Sequence, residues 1–312
     1  MLHNHPELAM PAETNFVFPL WRYRVRFGDL RDEANRRAIG EWLFVESRGH
    51  GGDRIRVGLP REEAVERIAA ADPTLGSVLS ACFGIFARQH GKPRWGDKRP
   101  GYAGFITTLF SLFGDAQFVN VIRDPRGAVA SQLRLGWGEE AEVLPSAIAT
   151  WQHSVARVDQ HARRLRPDQL LDVRYEDLVR EPEAVMRGIC AFAGLRADDE
   201  AIAQTVHGER RGRFRKGWHD RLAEPISTEP IDSWRDTLAP DAIALIEYAV
   251  DTQLGRFGFR PLAAGGHRKP ASEALRELAR QHEWRARKWR RYRRDELKRR
   301  FVLDRRPIAA VR

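Results

Sequence analysis

Arg123, Arg126 and Ser131 stand in the stretch FVNVIRDPRGAVASQL, residues 118–133, and their types and spacing raise the first chemical question. Residues 118–122 have the composition of a short buried strand. That run stops at Arg123 and Asp124, and Pro125 fits the first turn of a following helix, where the N–H it lacks would have no partner anyway. A helix N-terminus presents unpaired N–H groups that favour an anion. A guanidinium there can grip phosphate oxygens in pairs, and a serine two turns on, on the same face, adds a hydroxyl donor. The stretch reads as a turn built to hold a phosphate. The same spacing also allows a structural reading, in which Arg123 pairs with Asp124 or Glu176 and Ser131 merely packs.

The elements that must position these groups follow from periodicity. Helical spacing runs over 32–45, 61–71, 74–89, 101–113, 144–166, 182–194 and 240–257. Between these segments lie β-like runs at 94–97, 117–122 and 170–175, each followed by a helix. Such alternation predicts an α/β fold with a parallel sheet flanked by helices, whose ligands sit beyond the carboxyl ends of the strands. All three runs end in polar groups: Asp97 and Lys98, Arg123 and Asp124, Tyr175 and Glu176.

With 312 residues and 42% hydrophobic content, the chain can build one large α/β domain or two small ones. No apolar run approaches the roughly 18 residues of a membrane span, and the first residues lack the basic start and apolar centre of a signal peptide, so the expected location is cytoplasmic. Cys82 and Cys190 fall inside apolar helical patterns and read as reduced core residues; no metal-ligand spacing occurs, and no metal is expected. Charge is unevenly placed. Residues 268–312 hold 17 Lys+Arg against 6 Asp+Glu, a net of +11, while the whole chain is +10, which leaves the body near neutral at −1. Only six of the 53 basic residues are lysines, so a lysine on a motif carries more information than an arginine. Around 261–270 the pattern breaks into small residues, and the expected organisation is an α/β domain over 1–262 with a linker and basic helical tail over 263–312.

VIRDPRGAVAS resembles the 3'-phosphate-binding motif of sulfotransferases that use 3'-phosphoadenosine 5'-phosphosulfate (PAPS). HPELAMPAETNF (5–16), WGDKRPGY (95–102), LLDVRYEDLVREPEAVMRGICAFAGL (170–195) and WRDTLAP (234–240) agree with that family in kind and order, over roughly residues 1–260. The resemblance implies the P-loop NTPase-like sulfotransferase fold, PAPS as co-substrate, and sulfuryl transfer to a hydroxyl or amine. It assigns Arg123 and Ser131 to the 3'-phosphate and Tyr175 to a place beside the adenine. FRKGW (214–218) is similar to the family's Arg-Lys-Gly element, so Arg215 and Lys216 join the 3'-phosphate site, although Trp234 and Arg235 lie farther downstream than in cytosolic members. Glu13 matches the glutamate that several branches use as catalytic base, and Lys98 the lysine that neutralises the bridging oxygen, with Asp97 orienting it. Arg99 and Pro100 stand where cytosolic members carry a histidine, which favours Glu13 as base and leaves His5 and His219 as alternatives.

The family also places a first strand and a Pro-Arg-Ser-Gly-Thr-like loop before HPELAMP, and the sequence as given starts within that region, at Met1. The expectation is a start codon assigned too far downstream or a gene fragment, and translation of the upstream DNA tests it. The alternative to an enzyme is a non-catalytic relative that binds a 3'-phosphoadenosine nucleotide or acts as a scaffold. A kinase or NTPase is disfavoured, because GxxxxGK[ST] does not occur. Small-molecule, carbohydrate and lipid acceptors all remain open, as does a homodimer. The tail, EALRELARQHEWRARKWRRYRRDELKRRF, either lies on an anionic membrane or packs its aromatic residues on the domain or a second subunit, with nucleic acid the less favoured partner.

Overall fold

Two parallel strand pairs deliver the polar ends of the expected strands. The computed structural model describes residues 1–11, 14–44, 60–135, 140–208, 225–262 and 270–301. A 3-10 turn, Leu2–Asn4, leads into β1 (Leu8–Ala9), which pairs with β2 (Arg94–Trp95). Between them run α1 (Val17–Tyr23), α2 (Glu33–Leu43), α3 (Arg61–Ala69) and α4 (Leu75–Gln89). Asp32 accepts from the Ala34 N–H and Thr74 from the Ser77 N–H, which satisfies donors that the first turns of α2 and α4 leave open. The apolar faces of these helices enclose one core cluster around Phe16, Leu20, Phe27, Trp42, Leu79 and Phe83.

A 3-10 segment, Pro100–Gly104, and α5 (Ile106–Leu112) occupy the helix expected over 101–113, separated at Phe105, whose φ is −135°. Gly101 and Gly104 give this stretch weak helix propensity, which accounts for its first half tightening into 3-10 turns. Next come β3 (Phe118–Ile122), α6 (Pro125–Arg134) and α7 (Glu140–Ala162), then β4 (Leu170–Arg174). β3 and β4 are parallel and in exact step, Phe118 opposite Leu170 through to Ile122 opposite Arg174. After β4 the chain forms α8 (Tyr175–Arg180), α9 (Pro182–Phe192) and α10 (Asp199–His207). Gly194, at φ +63°, ends α9 in the left-handed conformation and returns the Leu195 N–H to the Cys190 carbonyl.

The short helices α11 (Glu229–Asp232) and α12 (Trp234–Thr237) precede α13 (Pro240–Arg256), which is kinked at Val250, and α14 (Ser272–Phe301). α6, α7, α12 and α13 share a core cluster around Trp234, Ile148 and Ile246, to which α14 adds Leu278. A third cluster joins Leu8 and Val173 to Met186, Ile189 and Ile202.

The architecture is mixed α/β, mostly helical, with small parallel sheets. Instead of one continuous sheet, the described strands form two separate pairs. β2 stops at Trp95 because the Gly96 N–H makes the last bond to Ala9 and Asp97 then turns toward Thr14 and Tyr102. Cys82 and Cys190 are buried free thiols, and burial pushes the Cys82 thiol up to about 12.

Candidate functional site

The register of β3 and β4 sets the first half of the site. Carried one residue past Ile122 and Arg174, it brings Arg123 beside Tyr175; a further residue brings Asp124 beside Glu176. Both approaches are made. The Arg123 guanidinium lies over the Tyr175 ring, 4.6 Å from its centroid, and the Asp124 N–H donates to Glu176 Oε1 at 2.9 Å. Burial, ahead of every other influence, raises the Glu176 carboxyl, whose Oε2 has no partner among the described residues.

Asp124 does not pair with Arg123. It caps α6, accepting from the Arg126 N–H at 2.9 Å, and its carboxylate takes the Arg126 guanidinium at 2.6 Å. Arg126 is buried, spans to Glu247 at 2.5 Å and covers the Trp234 ring at 4.2 Å. Asp124 is therefore engaged elsewhere, and Glu176 takes the Asp124 N–H and makes no ion pair with Arg123. Among the described residues, Arg123 has no carboxylate partner; its Nη2 donates to the Pro230 carbonyl at 2.7 Å and its Nε is buried without a partner. Burial lowers its pKa, with a smaller push the same way from the charge of Arg134, while Tyr175, Glu176 and Asp124 act against it.

Arg134 is a residue that sequence reasoning passed over. Its Nη1 donates to Ser233 Oγ at 3.1 Å, and Ser233 Oγ donates to the same Pro230 carbonyl that Arg123 holds. Gly127, Ser131 and Arg134 follow one another at helical spacing of four and three, so they share one face of α6. Gly127 matters because a Cβ there would stand 3.1 Å from Arg123 Nε; its absence lets the guanidinium fold back over the start of this face. Ser131 lies one turn farther, about 6 Å along the axis, a gap that one phosphate group can bridge. The half-buried Ser131 hydroxyl makes no hydrogen bond among the described residues. Two guanidiniums and a hydroxyl thus border one face, and neither guanidinium is ion-paired with a carboxylate among the described residues. Its signal in the sequence was Arg134 lying three residues after Ser131.

The second group lies at the ends of β1 and β2. Thr14 Oγ1 donates to Asp97 Oδ2 at 2.6 Å, and the Tyr102 hydroxyl donates to the same oxygen. Burial raises the Asp97 carboxyl, against the hydrogen bonds from Thr14 and Tyr102; Asp97 Oδ1 has no partner among the described residues. Burial also raises the Tyr102 phenol, which stays protonated as a donor. Lys98 itself is exposed. Glu13 lies outside the described residues, but Thr14, its chain neighbour, is bonded to Asp97, the neighbour of Lys98. Arg215, Lys216 and His219 also lie outside the described residues. His5 is fully buried, with one ring nitrogen at 2.9 Å from the Arg196 carbonyl and the other accepting from the Glu7 N–H, so it holds backbone and is no free base.

The groups in hand can bind an anion at the end of β3 and place a cation at the end of β2. A family model described as the sulfotransferase family matches residues 1–199. The chain is 25% identical over 270 residues to protein-tyrosine sulfotransferase A of Caenorhabditis elegans, covering 84% of this chain and 63% of that protein. It is 26% identical over 176 residues to human carbohydrate sulfotransferase 1, covering 51% of this chain and 42% of that one. Against the first three of these curated relatives, it spans between 35% and 63% of their length. Two solved structures share the fold. The sulfotransferase domain from the curacin biosynthetic pathway has a TM-score of 0.54 at 16% identity, covering 83% of this chain and 91% of that domain. The sulfotransferase domain of the Synechococcus PCC 7002 olefin synthase has 0.53 at 20%, covering 82% and 95%.

Proposed function

Because this chain belongs to the sulfotransferase family, we propose that it transfers a sulfuryl group from PAPS to a hydroxyl or amine of its acceptor. One observation carries this reading: Arg123 is left without a carboxylate partner among the described residues, although Asp124 and Glu176 are its neighbours in the chain and in the register. A structural arginine at that place would be neutralised. One held open beside Arg134 and the Ser131 hydroxyl fits the 3'-phosphate of the nucleotide. The partnerless Nε and the space kept by Gly127 fit the same group. Tyr175, pinned beneath Arg123, offers an edge and a hydroxyl to the adenine. Arg215 and Lys216 would complete the grip on the 3'-phosphate.

Sulfuryl transfer, like phosphoryl transfer, asks mostly for positioning and for charge that meets the charge moving onto the leaving phosphate. The bond from sulfur to the phosphate oxygen breaks as the acceptor oxygen or nitrogen bonds to sulfur. In this reading Lys98 meets the negative charge that gathers on the leaving oxygen, and Glu13 takes the acceptor's proton. Asp97 is a positioning residue. Held by Thr14 and Tyr102, it fixes the backbone from which the neighbouring lysine reaches out. The names of the relatives give acceptors for those proteins, tyrosine and carbohydrate, and both are hydroxyl compounds. A hydroxyl acceptor is the form we assign here.

The test is transfer of label from sulfur-labelled PAPS to a panel of tyrosyl peptides and carbohydrates. We expect incorporation that falls about 100-fold or more in Lys98→Ala, the loss typical of removing one charge-stabilising donor. Nucleotide binding without transfer to any acceptor would favour the non-catalytic reading instead.

A further inference from the structure

The sequence left the basic tail between two roles, packing on the domain and meeting an anionic surface. The structure assigns one role to each side of α14. Its inner side is clamped to the domain along most of its length. Leu278 is buried, His282 bonds to Gln152 at 2.9 Å, and Arg285 donates to Thr150 Oγ1 at 2.6 Å and to the Ser146 carbonyl at 3.0 Å. Farther along, Trp289 and Tyr292 stack on each other and meet Phe105 edge-on, and Glu296 is ion-paired with Arg24. These contacts fix the roll of the helix about its axis.

With that roll fixed, the opposite side is fixed too. Arg276, Arg280, Arg287, Arg291, Arg294 and Lys298 follow at spacings of four, seven, four, three and four, which places all six on one stripe, and all are exposed. The stripe is about 33 Å long at 1.5 Å per residue. Arg280 pairs with Glu277, Arg287 with Glu283 at 2.5 Å and Arg294 with Asp295 at 3.9 Å, while Arg276, Arg291 and Lys298 have no carboxylate partner among the described residues; Trp284, 53% exposed, stands beside the stripe.

We propose that this ridge is a docking surface for an anionic lipid bilayer. Charge complementarity supplies the attraction, and shape selects the partner. The ridge runs along the outer side of one 30-residue helix, so a flat surface can meet its cations together, whereas the convex cylinder of a nucleic-acid duplex meets them only at a short crossing. Trp284 lies beside the ridge, where an indole reaches the headgroup level that it favours. Leu278 is buried against the domain and only Trp284 and Leu297 are large exposed apolar residues of the described part of α14, too few for a continuous apolar face, so the helix rests on headgroups through its cations and does not bury an apolar face in the acyl region.

The experiment is sedimentation of the full chain with phosphatidylcholine vesicles, with and without phosphatidylglycerol, at several salt concentrations. The variant Arg276→Gln/Arg291→Gln/Lys298→Gln removes three cations that have no carboxylate partner among the described residues; circular dichroism confirms that it keeps its helix. The wild type should bind only the anionic vesicles, more weakly as salt rises, and the variant should bind about 100-fold more weakly, at roughly fivefold per cation. Equal binding of a folded variant, equal binding to vesicles without phosphatidylglycerol, or capture by duplex DNA or heparin but not by vesicles would overturn the proposal.

Discussion

At the scale of single residues, the account turns on which charges are neutralised and which are not. Asp124, Arg126 and Glu247 form a buried ion-paired set, while among the described residues the hydrogen-bond and ring partners of Arg123 and Arg134 are neutral oxygens and an aromatic face. Gly127 tests the consequence. Gly127→Ala removes a flexible residue from a helix, worth up to about 1 kcal/mol of added stability, but its Cβ would crowd Arg123 Nε at 3.1 Å. We expect melting to hold or rise slightly while affinity for 3'-phosphoadenosine 5'-phosphate drops about tenfold, the value of one charge-assisted hydrogen bond. Thermal melts and calorimetric titration on the same sample separate the two effects. The pairing of Arg123 and Ser131 was legible because a helix face repeats every three to four residues. The choice of Asp124 for Arg126 over Arg123 was not, since both arginines lie within two residues of it and only the three-dimensional position of Glu247, far away in sequence, decides.

Elements carry these residues into place through strand register and helix starts. β3 and β4 end level, so the first residues beyond them fall side by side. The strands at 117–122 and 170–175 were legible from their apolar runs, and the helices at 61–71, 74–89, 182–194 and 240–257 from their period. β1 was not, because two residues, Leu8 and Ala9, are too few to show alternation. Nor were α11 and α12, four residues each, which are held by packing of Trp234 under Arg126 more than by their own pattern. That packing makes Arg126 the pivot of α6, α12 and α13. Arg126→Met would take from the buried Asp124 and Glu247 carboxylates the guanidinium that they share. The expected cost is about 3–5 kcal/mol, read as a lower denaturation midpoint, with the largest loss of amide protection around α6 and α13.

For the molecule as a whole, three core clusters support two polar sites and one charged ridge. The first cluster backs β1, β2 and the Thr14–Asp97–Tyr102 group; the second holds α6 and its anion-facing side; the third ties β1 to β4 through α9 and α10. Uneven charge along the chain was plain in the sequence, because it needs only counting. How α14 divides that charge was hidden, since its aromatic residues are scattered among arginines and only contact with Phe105, Gln152 and Ser146 shows which side turns inward. No described helix is long and apolar enough to cross a membrane. The central claim is that the face bordered by Arg123, Ser131 and Arg134 holds a nucleotide 3'-phosphate. Its most direct measurement is calorimetric titration with 3'-phosphoadenosine 5'-phosphate and, in parallel, adenosine 5'-monophosphate, for the wild type and Arg123→Ala. The account predicts that the wild type prefers the 3'-phosphorylated nucleotide by about tenfold or more and that the variant loses this preference. Equal binding of the two nucleotides by the wild type, or an undiminished preference in Arg123→Ala, would contradict it.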